Sequence, residues 1–395
     1  MYIRGMLSVI LAVPEPSTIT ISNKMMNLKK FATLSTALTL GLSCLIDSAS
    51  AQENPTTFIT RANAKVARES AVKSRWEGPT SGPKIEAKKL IIFIASDFRN
   101  TSVNALLKNL REVSAITGWD LVAIDCWGAA NKRADAFSRA MALKPNGIIL
   151  AGINAQDQAK EIAKVNEKKI PIVGWHASTK IGPADGLFVN IGTDPKEVGQ
   201  TAAYLTVTES NGKAGVVVFT DPTTLYSVAK SNEVIDVIKR CQTCSILGVE
   251  EIPITNGAEQ LSASIATLSK RHGKKWTHSI VVHDQYIDWM ETPSNIELLG
   301  DIKQLAVAAG DGTSTSYARI QRKALQIGVI PEPLGQHAWQ LFDELNRAQH
   351  NLPPSGYVST PYVVTVQNIA FHGGPKQTFD PDNGYRNEYR KIWGK

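Results

Sequence analysis

The stretch Leu90–Ser102, LIIFIASDFRNTS, runs from a fully apolar segment straight into an acid, an aromatic, a base and an amide. A chain reversal needs only Gly, Asn, Asp or Pro. Asp97, Phe98, Arg99 and Asn100 supply more: donors, acceptors and a ring face. The pattern recurs. Asp125-Cys126-Trp127, Gly152-Ile153-Asn154 and Trp175-His176 close later apolar runs, and further on so do Thr220-Asp221, His283-Asp284-Gln285 and Gly310-Asp311-Gly312. Carboxylates and amides form paired hydrogen bonds to vicinal hydroxyls, while aromatic faces cover the C–H faces of a sugar ring. The candidate contacts are therefore Asp97, Phe98, Arg99, Asn100, Trp127, Asn154, Trp175, His176, Asp284, Gln285 and Asp311, around a small, uncharged, polyhydroxylated ligand. Each has an ordinary role to weigh against this one. Asp125 and Asp311 suit helix caps or Asx-turns, Trp127 and Trp175 suit packing, and His176 and His283 suit loop positions with local partners.

Motifs that would make the same residues catalytic are missing. G-x-G-x-x-G stands at no strand-to-helix turn, and G-x-x-x-x-G-K-[ST], G-x-S-x-G and H-E-x-x-H do not occur. The expectation is a non-enzyme without cofactor or metal. Cys241-Gln-Thr-Cys244 follows a helical pattern, whereas a redox pair opens a helix, where the thiol pKa is lowered. That position favours a local disulfide between Cys241 and Cys244, with Cys126 buried and free.

The elements that must position these residues follow a regular rhythm. Apolar runs at Leu90–Ala95, Leu121–Ile124, Gly147–Leu150, Ile170–Gly174 and Leu187–Ile191 alternate with amphipathic stretches at Val103–Thr117, Lys132–Ala142 and Ala155–Lys168. The rhythm restarts at Ala214–Thr220 and continues through Ile246–Ile254, Ser279–His283, Gln304–Ala309 and Gln326–Ile330. Repeated strand–helix units predict right-handed crossovers and parallel sheets, here in two α/β halves. Ligands of open α/β sheets bind beyond the carboxyl ends of the strands, so two facing halves would form a cleft there.

Upstream, Lys29 and Lys30 precede the apolar stretch Phe31–Ile46 and then Ala49-Ser50-Ala51, the pattern of a secretory signal with cleavage after Ala51. Met25 and Met26 offer alternative starts to Met1, and Cys44 raises a lipoprotein reading that Gly41 disfavours. The formal net charge of +7 is spread without a long basic block, which argues against nucleic acid as a partner. Residues 52–87 read as a polar arm, helical over Ala62–Trp76.

From Lys88 to Asn368 the chain resembles the type 1 periplasmic solute-binding proteins of ABC transporters, in the ribose- and galactose-binding branch. The carriers are SDFRN, LKPNGIILAGIN, KKIPIVGWHAS, VNIGTDPKEVGQTAA, IVVHDQ and AAGDGTSTSYARI. The resemblance implies two doubly wound parallel-sheet lobes joined by three hinge crossings, near Gly192–Asp194, Ile330–Pro333 and Thr360–Tyr362. It divides the chain into residues 88–193 plus 332–360 as one lobe and 194–331 plus 361–395 as the other with a C-terminal tail. It places Asn100 at a sugar-contacting asparagine, Asp284 at a second-lobe asparagine and Asp311 at the aspartate of a G-x-D-G-T-like turn. His176 and Ala177 replace the family's Asp-Arg pair, Ser102 and Val103 replace its paired aromatics, and Tyr226 becomes a further stacking candidate. The implied function is capture of a sugar-like ligand in the periplasm, by a monomer, for a membrane permease. The alternatives are presentation of the ligand to a membrane sensor, or an exported hydrolase using the same cleft.

Overall fold

The computed structural model describes residues 53–395. The leader, its cleavage after Ala51, the alternative starts and Cys44 lie outside the described residues.

Two six-stranded sheets carry the fold. The first holds β1 (Leu90–Ala95), β2 (Asp120–Asp125), β3 (Gly147–Ala151), β4 (Ile172–Trp175), β5 (Gly182–Ala184) and β6 (Leu187–Ile191), in the order β2-β1-β3-β4-β6-β5. The second holds β7 (Gly215–Thr220), β8 (Ser245–Glu251), β9 (His278–Val281), β10 (Leu305–Ala308), β11 (Gln326–Val329) and β12 (Val364–Thr365), in the order β12-β11-β10-β9-β7-β8. Pairing is parallel except where β5 meets β6 and β12 meets β11. These two antiparallel strands, too short to leave a pattern in the sequence, are the additions to the expected set.

A parallel sheet covered by helices on both faces needs strands that are apolar throughout. In β1, Ile91, Phe93 and Ala95 enter a core with Leu106 and Trp339, while Ile92 and Ile94 enter another with Phe137 and Ile162. In β7, Val217 and Phe219 face one core and Val216 and Val218 the other.

The chain passes between the sheets three times: from β6 into helix Pro195–Glu209, from β11 into helix Leu334–Gln349, and from that helix back to β12. Thr193 on the first passage and Ser359 on the third form an isolated parallel bridge, with their hydroxyl oxygens 2.8 Å apart.

Both terminal segments span the lobes as well. The arm's helix runs over Pro55–Ser70 rather than Ala62–Trp76, because Asn54 Oδ1 accepts from the Thr56 amide at 2.8 Å and Pro55 sits in the first turn. It packs Phe58 against Tyr204 of helix Pro195–Glu209, ring centroids 5.8 Å apart. The following segment carries Trp76 to Tyr385 and Tyr389 beside the first sheet's core. Residues 361–395, expected as a block with the second lobe, divide. Phe379 joins the second core, and helix Tyr385–Trp393 joins the first. The indole of Trp393 lies flat on Trp339 (5.2 Å, 5°) and its Nε1 donates to Asp343 Oδ1 at 2.8 Å, which fixes the helix there.

Cys241 and Cys244, just past helix Leu225–Arg240, are joined in a disulfide with Cα atoms 5.3 Å apart. Cys126 is free, and burial pushes its thiol up to about 11. Among the described residues no helix is long and apolar enough to cross a membrane.

Helices Pro195–Glu209 and Leu225–Arg240 approach so closely that a Cβ on Gly199 would stand 2.3 Å from the Lys230 carbonyl oxygen. Backbone cannot yield as a side chain can. Gly199→Ala is expected to cost about 1–3 kcal/mol in urea denaturation. An unchanged midpoint would mean the helices are not so closely packed.

Candidate functional site

The site begins with the loop after β1. Asn100 Oδ1 accepts from the Ser102 and Val103 amides at 3.0 and 3.4 Å, capping helix Thr101–Thr117. Asp97 is buried because Arg99 satisfies it: Nε lies 3.0 Å from Oδ1, Nη2 2.6 Å from Oδ2, and the Arg99 amide 2.8 Å from Oδ1. The guanidinium is half exposed and also donates to the Trp127 carbonyl at 3.1 Å, so Arg99 turns to the lobe surface. Phe98 stacks on Phe93 at 6.2 Å. Of Asp97, Phe98, Arg99 and Asn100, only Asn100 lines the space between the lobes, together with Ser96 and Ser102 of the same stretch.

On the same side of the sheet, β4 ends in Trp175 and His176, the latter in the left-handed region (φ +50). That turn lays the imidazole flat on the Trp175 indole (3.8 Å). From the opposite lobe, the first turn of helix Leu225–Arg240 brings Tyr226 onto the other face of His176 (3.7 Å, 12°). A three-ring stack therefore bridges the lobes. Beside it, Asn154 Oδ1 accepts from the Leu225 amide across the same gap at 3.0 Å.

The space left is small. A cavity of about 30 Å³, room for roughly one water, is lined by Asn100, Ser102, His176, Tyr226, Ser227, His283 and Asp311, among others. A hollow of about 490 Å³ adjoins it, sharing Ser102 and Asp311 and walled by Thr101, Asn109, Thr313, Thr315 and the segment Lys376–Phe379.

Three charged or titratable groups, Glu332, Lys230 and His337, lie buried behind the stack. Glu332, on the middle crossing and 1 % exposed, has Oε1 3.0 Å from the Tyr226 hydroxyl, 3.4 Å from Lys230 Nζ and 3.6 Å from His176 Nε2. Burial alone would raise its pKa, but His176 and Lys230 hold the carboxyl well below the usual carboxylate range. The same burial lowers His176, against the pull of Glu332. Burial also lowers His337, to about 4. Its tautomer follows from its partners. Trp175 Nε1 can only donate, so His337 Nδ1 accepts at 3.3 Å; Nε2 then donates to Ser359 Oγ at 2.8 Å. The Ser359 hydroxyl is left to donate to Thr193 Oγ1.

In the second lobe His283 Nδ1 lies 3.1 Å from Asp311 Oδ2, and its Nε2 lies 3.2 Å from Ser227 Oγ. Burial opposes protonation of His283, but Asp311 outweighs it and raises the pKa. Asp311 is lowered in turn, the His283 charge overcoming burial.

The remaining predicted residues lie apart from the cavity. Asp284 turns into its lobe, where Oδ2 accepts from the Thr313 amide at 2.7 Å and Oδ1 from Gln326 at 3.2 Å; burial, then the nearby Asp311, raises its pKa. Gln285 opens a short helix beside it. Trp127 is exposed at the carboxyl end of β2. Sequence reasoning missed Glu332, Lys230, Ser227 and His337. Lys230 stands one helical turn after Tyr226 and so shares its face, a signal available in the sequence; Glu332 between two prolines gave none. Among the described residues no group of acids, histidines and cysteines could hold a metal ion.

A family model described as "Periplasmic binding protein domain" matches residues 91–347. No curated protein matches the chain. Among solved structures, a galactofuranose-binding protein superposes with TM-score 0.63 at 14% identity, covering 76% of this chain and 99% of its own. An arabinose-binding protein from Geobacillus stearothermophilus gives 0.59 at 15%, covering 72% and 99%. A Caulobacter myo-inositol-binding protein bound to myo-inositol gives 0.62 at 14%, covering 72% and 95%. At these identities the likeness is one of fold, and the match over most of the chain is one of family: the protein is a member of the periplasmic binding protein family, with the two-lobe type 1 architecture.

Proposed function

We propose that the protein captures a small, uncharged, sugar-like ligand between its lobes in the periplasm and, as a monomer, delivers it to the permease of an ABC importer. The observation that carries this reading is the charge balance around the cavity. Lys230 stands against Glu332 and His283 against Asp311, each pair buried, so no net charge is left to attract an ion. Hydroxyl and amide groups of Ser102, Ser227 and Asn100 line the same space, as a polyol requires. The solved structures named above include binders of arabinose, galactofuranose and myo-inositol, which agrees with such a ligand. The leader pattern favours export, and membership of a family of binding proteins favours capture over catalysis.

Ligand pockets run to roughly 300–1,000 Å³. The cavity against the ring stack, about 30 Å³, is too small, so a ligand touching Asn100, His176 and Tyr226 together requires the lobes to part about their crossings and Tyr226 to leave His176. The ligand then takes the place of contacts the lobes make with each other.

Isothermal titration of residues 52–395 with arabinose, galactose and myo-inositol, beside galacturonate, tests the ligand class. A neutral compound should bind, and galacturonate should bind at least tenfold more weakly, since its charge would lose hydration without a free counter-charge. Preference for the acid would overturn the neutral reading.

Asn100 has two duties, and one substitution separates them. Asn100→Asp keeps the capping oxygen but loses the amide donor, so the unliganded melting temperature should hold while binding weakens about tenfold. Asn100→Ala loses both, with roughly 1 kcal/mol of stability. Equal binding by wild type and Asn100→Asp would leave Asn100 as a cap alone.

Acid should loosen the crossings. With His337 at about 4 in the fold and near 6.5 unfolded, protons favour the unfolded chain as pH falls from 6.5 towards 4. Glu332, held low, adds a loss in the same direction below its ordinary value. Stability contributed by His337 should drop by roughly 2–3 kcal/mol between pH 7 and 4. Urea denaturation at the two pH values should show a correspondingly smaller drop for His337→Gln.

A further inference from the structure

We infer that the protein has a second, outer saccharide-binding site on its first lobe, built on Trp127 and separate from the cleft. Trp127 is 58% exposed, though its indole is the largest apolar side chain on that surface. Its backbone is in the left-handed region (φ +54), where a bulky residue is an outlier that the surroundings must hold in place. They do so from both sides. Asp125 Oδ1 accepts from the Trp127 amide at 2.8 Å, and Arg99 Nη2 donates to its carbonyl at 3.1 Å. Arg99 is itself clamped by the buried Asp97. The indole is thus presented on a fixed mount.

Around it lies a hollow of about 460 Å³ whose lining includes Phe98, Arg99, Asp125, Trp127 and Arg139. That combination has the two halves of sugar recognition: an exposed aromatic plane, and hydrogen-bonding groups at its rim. Asp125 keeps Oδ2 for a hydroxyl once Oδ1 is used by the backbone. Arg99 and Arg139 offer guanidinium donors from largely exposed side chains. The charges decide between a neutral and an ionic occupant. Arg99 is paired with Asp97 and Arg139 stands 3.9 Å from Asp135, which leaves Asp125 set against Lys132, whose Nζ is 6.0 Å from the indole. The rim is close to neutral, and an uncharged ring with vicinal hydroxyls fits it. Gly128, next in the chain, stands close to Thr255 of the other lobe, so the hollow lies at a mouth of the cleft.

The test labels the protein with 15N-tryptophan and assigns the Trp127 and Trp175 indole cross-peaks as those lost in Trp127→Phe and Trp175→Phe. Wild-type protein is then titrated with galactose and with lactose. The Trp127 peak should move and saturate at millimolar sugar. Movement with galactose means that one free ring suffices, and movement with lactose alone means that the site holds one ring of a longer saccharide. Asp125→Asn with Arg139→Gln keeps the amide's acceptor but removes the rim, and should weaken the effect about tenfold or more. A Trp127 peak that stays still with both sugars, or moves undiminished in the double variant, overturns the outer site. If the Trp175 peak moves while that of Trp127 does not, the outer site fails and the cleft reading stands.

Discussion

A carboxylate that is taken out of water must find cations and donors, and Glu332 finds them on both lobes at once. Removing a charge from solvent costs several kcal/mol unless it is paired and hydrogen-bonded. Glu332 meets that need at Oε1, with Lys230 and Tyr226 from the second lobe and His176 from the first, while its buried Oε2 makes no hydrogen bond. It sits on the middle crossing, so the requirement ties the hinge to the cleft. Tyr226 can serve Glu332 only by leaning over His176, and in doing so it reaches the Thr193 carbonyl on the first crossing at 2.5 Å. The third crossing joins through Ser359, which accepts the His337 Nε2–H hydrogen bond and bridges to Thr193. The three passages are therefore mechanically one. Parting the lobes separates Tyr226 from His176 and leaves Glu332 to be satisfied by Lys230 or by water.

This arrangement gives the imidazole at the end of β4 a structural task. A residue at position 176 that reached out to a ligand would leave Tyr226 without a ring to rest on. An imidazole there, kept neutral by burial, can stack on both sides at modest cost in solvation. The cleft interior is thus shaped by the protein's contact with itself as much as by the needs of a ligand.

Most of the architecture was legible in the sequence, because strands buried on both faces must be apolar throughout and β1, β3 and β7 are. The strand ends were legible as places where polar residues gather. What each polar residue does there was not. Asp97, Arg99 and Asn100 look alike as a string, yet a two-residue offset lets Arg99 fold back onto Asp97, while Asn100 turns the other way to cap a helix. Asp284 and Asp311 differ in the same way: one serves a backbone amide inside its lobe, the other holds a histidine at the cavity. Such choices are settled by which unsatisfied group lies nearest in space. Glu332 and His337, on the crossing just after β11 and the helix it enters, were out of reach for the same reason.

The terminal helices bear on how the chain can fold. The first lobe's core needs Trp339 and Trp393, and the second lobe's sheet is completed by β12 while its flank is covered by helix Pro55–Ser70. Neither lobe is a continuous piece of chain, and one of them waits for nearly the last residue. Loops of such length must close before their contacts repay the lost entropy, which slows folding. Cutting back either terminus therefore strips packing from a lobe whose strands lie far off in sequence.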